Sequence, residues 1–109
     1  MKVLWSKESL NRLKEIEEFI AQDNPIKAEE FIDYIISRSS IIADNPKSGR
    51  IVPEFLNPDI RELIIQNYRL VYKTGKNHID ILTVFEGHRL TRKSEIFPGK
   101  KLNDPSKTG

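Results

Sequence analysis

Between residues 10 and 20 apolar side chains return every three or four positions, at Leu10, Leu13, Ile16, Phe19 and Ile20, while Arg12, Lys14, Glu15, Glu17 and Glu18 fall mostly on the remaining faces. That spacing predicts an amphipathic helix of about four turns. Ser6 is a good N-cap for it, with Glu8 in the first turn, and the β-favouring stretch KVLW before Ser6 predicts a short strand. A break follows at QDNP, where Asn24 can cap a second helix and Pro25 fits its first position, which needs no amide hydrogen. Ala28, Phe31, Ile32, Ile35, Ile36, Ile42 and Ala43 then give a broad apolar face that runs to about Asp44, where DNPKSG stops it. The short connection between the two helices predicts an antiparallel hairpin.

After residue 50 the period changes from three-to-four to two. RELIIQ and YRLVYK are separated by little more than Gln66 and Asn67, and HIDILTVF follows the turn residues Thr74 to Asn77, which predicts three consecutive antiparallel strands. In the middle strand Tyr68, Leu70 and Tyr72 share one face and Arg69, Val71 and Lys73 the other. The expected fold class is α+β: an N-terminal strand and an antiparallel helical hairpin packed on a twisted, mainly antiparallel sheet. Residues 1–99 read as one domain. The lysine-rich ending, residues 100–109, with a single large apolar side chain, predicts a flexible tail.

The 109 residues suffice for one core of ordinary size. No apolar run approaches the roughly 18 residues of a membrane span, the first residues lack the apolar core of a signal peptide, and there is no cysteine, all of which fits a cytoplasmic protein. The net charge of +2 hides an asymmetry: residues 1–45 carry 6 Lys or Arg against 9 Asp or Glu (−3), and residues 46–109 carry 12 against 7 (+5). The basic half is the candidate for meeting phosphate or an acidic partner.

Candidate chemistry is concentrated in that half, at Arg50, Glu54, Arg61, Glu62, Arg69, His88, Arg89, Arg92 and Lys93. Metal-free phosphodiester cleavage needs a base, a cation and an acid, and Glu54, Arg69 and His88 are residue types able to fill those roles. Glu54 could equally form an ion pair that fixes the segment GRIVPEFL to the sheet. Arg69, inside an apolar strand, requires a carboxylate partner or a solvated groove. Two histidines without cysteine offer no structural zinc site, and no cofactor motif is present.

The series NPKSGRIVPE, IRELIIQNYRLVY and VFEGHRL, after a strand and helical hairpin over residues 2–44, resembles the RelE/ParE superfamily of type II toxins. The resemblance covers residues 2–93 and implies a small cytoplasmic toxin whose growth arrest is neutralised by a cognate antitoxin. Val52-Pro53-Glu54, Arg61-Glu62 and the glycine followed by basic residues look like the ParE side, whose members poison DNA gyrase. There Arg61, Arg89, Arg92 and Lys93 would contact the target. KVLWSKES and YRLVY are similar to the YoeB-type branch of ribosome-dependent mRNA endoribonucleases, in which Glu54, Arg69 and His88 would be base, charge stabiliser and acid. A third reading is a non-toxic binding module of the same fold.

Overall fold

The computed structural model describes residues 1–87. Its elements are β1 (Lys2–Trp5), α1 (Lys7–Ala21), α2 (Pro25–Asp44), β2 (Arg50–Ile51), β3 (Ile60–Ile65), β4 (Tyr68–Thr74) and β5 (His78–Glu86). The architecture is α+β, two helices on a five-stranded sheet of order β1-β5-β4-β3-β2. Both helix starts follow their caps: Ser6 Oγ accepts from Ser9 N at 3.0 Å, and Asn24 Oδ1 accepts from Lys27 N at 3.0 Å. Helix α2 ends at Asp44, and its C-cap Asn45, immediately before Pro46, is non-helical, as the steric restriction on a residue preceding proline favours.

The hairpin β3–β4 turns on Gln66 and Asn67, with Gln66 at φ 55°, the left-handed conformation a two-residue turn demands. Strands β4 and β5 are also antiparallel, whereas β1 joins β5 in parallel, so the sheet is mixed. Two points refine the expectation from sequence. A short edge strand, β2, pairs with β3 through Arg50↔Glu62 and Ile51↔Arg61, inside the segment that reads as a connector. In β5 the register slips between Val71↔Thr83 and Tyr72↔Ile81, which leaves Leu82 as an extra residue. This bulge reverses the parity of β5, so that Ile79, Ile81 and Val84 all reach the helix-covered core.

That core joins Leu13 and Ile16 of α1, Ile35 and Ile42 of α2, and Leu63, Ile65, Tyr68, Leu70 and Tyr72 of the sheet. The helix α1 stripe is narrower than its spacing suggests, because Leu10 and Phe19 stand on its two flanks and are exposed. Ser9 occupies the buried line with Leu13 and Ile16, its hydroxyl satisfied by the Ser6 carbonyl at 2.8 Å. A second, smaller cluster of Val52, Phe55, Ile60, Val71 and Phe85 lies on the opposite face of the sheet. Among the described residues no helix is long and apolar enough to cross a membrane.

Candidate functional site

The second cluster exists because the segment after β2 folds back over the sheet. Phe55 N donates to the Val52 carbonyl at 3.0 Å, Ile60 N to the Asn57 carbonyl at 3.1 Å, and Val52 N to the Ile60 carbonyl at 3.3 Å. These bonds close a compact loop whose two large apolar anchors, Val52 and Phe55, are buried against Ile60, Val71 and Phe85. Glu54 lies between the anchors and is carried to the sheet with them.

There it meets Arg69. The two terminal nitrogens of Arg69 donate to the two carboxylate oxygens of Glu54, each at 3.3 Å, and its Nε donates to Glu62 Oε1 at 2.6 Å. A further nitrogen of Arg69 contacts the same Glu62 oxygen. The second oxygen of Glu62 accepts from Arg50 Nε at 2.5 Å. Register explains the convergence: Glu62 stands opposite Val71, Ile64 opposite Arg69 and Arg50 opposite Glu62, so all share the face away from the helices. The Arg69 guanidinium also lies 5.3 Å from the centre of the Phe85 ring.

The side chains of Glu62 and Arg69 are 0% and 7% exposed, and a charge so placed is tolerable only when paired. Burial works against the Arg69 cation, but the hydrogen bonds and charges of Glu54 and Glu62 outweigh it and raise its pKa above the ordinary arginine value. Arg69 is therefore a permanent cation held between two carboxylates. In the chemistry of phosphate binding, a phosphate would have to displace Glu54 to use the terminal nitrogens.

A second set of bonds positions this cluster from the helix side of the sheet. The buried Tyr72 hydroxyl donates to the Pro46 carbonyl at 2.8 Å and accepts from Gly49 N at 2.9 Å. Gly49 is pressed so close to the sheet that an added Cβ would lie 2.5 Å from the Glu62 carbonyl oxygen and 2.7 Å from the Tyr72 hydroxyl. That approach lays Arg50 onto Glu62. Sequence reading identified Glu54, Arg50 and Glu62 but not this tyrosine–glycine pin. The alternation that puts Tyr72 on the helix side is the signal that could have found it.

Of the residues proposed from sequence, Glu54 and Arg69 are in contact. Arg61 is not part of their cluster: it stands opposite Tyr72, on the other face, and donates to the Gly49 carbonyl at 2.8 Å. His88, Arg89, Arg92, Lys93 and the tail, residues 100–109, lie outside the described residues. His78 pairs with Asp80 at 3.3 Å. Among the described residues no group of three or more His, Cys, Asp or Glu is arranged to hold a metal ion.

Residues 3–91 match the family described as "ParE toxin of type II toxin-antitoxin system, parDE". A protein of Sinorhizobium fredii (strain NBRC 101917 / NGR234) named "Putative toxin Y4kP" is 30% identical in an alignment of 90 residues that covers 81% of this chain and 90% of that protein. A solved structure titled "Chromosomal ParDE TA system from P. aeruginosa" superposes with a TM-score of 0.67 at 18% identity, over 79% of this chain and 95% of that one. The fold is thus shared with that structure, and the family match spans every described element except the first residue of β1. The chain belongs to the ParE toxin family of type II toxin-antitoxin systems.

Proposed function

We propose that this toxin acts in the cytoplasm by binding and poisoning DNA gyrase, without cleaving nucleic acid itself, and that a cognate antitoxin holds it in check. The observation that carries the reading, beside family membership, is the state of Arg69. A cation whose terminal nitrogens engage Glu54 and whose Nε engages buried Glu62 is built as a structural staple, and it suits a binding surface better than a phosphate site. Supporting an antitoxin partner, the helical hairpin exposes large apolar side chains, Phe19, Ile26 and Tyr34, and Tyr34 lines an open groove with Ile20, Phe31 and Gln66. An amphipathic antitoxin segment would cover that groove.

The test is induced expression of the chain with DNA breaks and mRNA cleavage followed together. Gyrase-dependent breaks with intact ribosome-bound mRNA are expected. A second reading, the ribosome-dependent endoribonuclease, is favoured by one observation, the contact between Glu54 and Arg69. If that contact is a base beside its cation, Glu54→Gln should slow mRNA cleavage by roughly 10²-fold or more, the scale for loss of a general base. In the gyrase reading the same variant leaves DNA breakage nearly unchanged once folding is verified. Neither DNA breaks nor mRNA cleavage would mark the chain as a binding module.

A further inference from the structure

The groove between the two helices and the β3–β4 turn has an aromatic floor and an acidic rim. Ile20, Lys27, Glu30, Phe31, Tyr34 and Gln66 line it, around a cleft of about 380 Å³. The Phe31 ring centre is 6.5 Å from that of Tyr34 and 5.5 Å from that of Tyr68, so the three rings form one row. Tyr68 is buried at the inner end of the row, whereas Tyr34, at the outer end, is 43% exposed. An aromatic face open to water attracts apolar groups and cations alike.

Charge decides between those visitors. Residues 17–33 carry six carboxylates, Glu17, Glu18, Asp23, Glu29, Glu30 and Asp33, against one cation, Lys27, a net −5 within a chain of net +2. All seven side chains belong to exposed residues, and no ion pair among the described residues involves any of them. An exposed acidic run is ordinarily a solvated surface. Here Glu30 lines the groove itself, Glu17 stands one turn before Ile20 and Asp33 one turn after Glu30, so helical spacing brings the charge to the groove's edge. The helix dipoles alter this little, because the C-terminus of α1 and the N-terminus of α2 meet at one turn with opposite signs. Lys27 offsets one of the six negative charges. An acidic segment entering the groove is repelled, and a basic one is drawn in by the carboxylates and by the ring face.

We propose that the occupant of this groove is a basic amphipathic segment of the antitoxin, apolar where it meets Ile20 and Phe31, with a lysine or arginine laid over the Tyr34 ring beside Glu30. This rests on the antitoxin reading of the hairpin, not on which target the toxin arrests. Because the carboxylates are exposed, they act chiefly on the rate of association and on the choice of partner, while the apolar contacts and the Tyr34 ring set the lifetime of the complex.

The experiment uses the full chain, with the protein encoded beside the toxin as the probe, and measures association and dissociation for Glu30→Lys, Asp44→Lys, Tyr34→Ala and Tyr34→Phe, each with its unfolding midpoint checked. Glu30→Lys should weaken binding at least about tenfold, mostly through slower association. Asp44→Lys makes the same change in net charge about 21 Å further along α2, by the rise of 1.5 Å per residue, and should alter binding less than about threefold. Tyr34→Ala should weaken binding at least about tenfold, and Tyr34→Phe, which keeps the ring, less than about threefold. Added salt should weaken the wild-type complex more than the Glu30→Lys complex. Unchanged or tighter binding by Glu30→Lys overturns the basic character of the segment. If Tyr34→Ala still abolishes binding in that case, the antitoxin stays in the groove and only its charge was misassigned. An equal loss in Asp44→Lys assigns the effect to overall charge and overturns the proposal, as does wild-type binding by Tyr34→Ala. No complex between the wild-type chain and its neighbour defeats the antitoxin reading and this inference together.

Discussion

The two faces of one sheet are closed in different ways. On the helix-covered face, two long helices lie across β1, β5 and β4, and the interior is a continuous apolar cluster from Leu13 to Val84 with Ser9 and Ser39 bonded to nearby backbone carbonyls. On the other face, among the described residues, the cover is a loop of eight residues, 52–59, whose buried large apolar side chains are Val52 and Phe55. A loop cannot bury as much apolar area as a helical hairpin, so its docking depends on the Glu54–Arg69–Glu62–Arg50 network. The comparison teaches that the helix face derives its stability from packing. The loop face trades packing for paired charge, which also fixes where its outer side chains point.

The sharpest way to break that contrast is to remove one charge from the middle. Glu62→Ala removes from Arg69 and Arg50 the buried carboxylate that both engage, and should lower the unfolding free energy by about 3–5 kcal/mol, the usual cost of breaking a buried pair. Urea unfolding measures this, and Glu62→Leu combined with Arg69→Leu should recover much of the loss because no buried charge then remains. On the helix face Leu70→Ala should cost about 2–5 kcal/mol from lost burial and a residual cavity. Val71→Ala, the neighbouring residue on the loop face, deletes fewer buried atoms and should cost less, which unfolding of the pair decides.

Next in size is Gly49→Ala. The added methyl would meet the Glu62 backbone and Tyr72 hydroxyl, an overpacking cost of about 1–3 kcal/mol, and the displaced β2 should draw Arg50 from Glu62. Hydrogen exchange at Val52 and Phe55 should rise more than at Leu70, since the damage is local to the loop. The smallest effect belongs to Tyr68, at the margin of the helix core. Burial, and then the charge of Glu86, raise its pKa above the ordinary tyrosine value. A raised folded-state pKa means that its contribution is fully present below the unfolded-state value of about 10 and is lost as pH rises through the folded-state value. Comparing the ultraviolet titration of the wild type with that of Tyr68→Phe should therefore assign to Tyr68 an ionisation above the ordinary tyrosine range.

Family membership and the arrangement of long elements were legible from residue order because both depend on local rules. Caps at Ser6 and Asn24, proline at position 25, the Gln66-Asn67 turn and the alternation in YRLVYK each constrain their own neighbourhood, and each matches the structure. That Arg69 needs either a carboxylate partner or a solvated groove was legible too, since a cation in an apolar strand is costly to bury unpaired, and the structure gives it carboxylates. Which carboxylates answer that need was decided by register and by the return of the loop, contacts between residues 7 and 15 positions apart. The same holds for Arg61, whose separation from the cluster follows from strand parity and from the nearby Gly49 carbonyl. Strand β2 is two residues long and gains its bonds from β3, so no local pattern could announce it. The bulge at Leu82 likewise arises between strands, where the helix core favours Val84 over Thr83. Local sequence determines what each segment can become, because backbone sterics and side-chain periodicity act over a few residues. Tertiary structure decides which charges meet, because a desolvated ion pair forms only where packing has already brought its partners together.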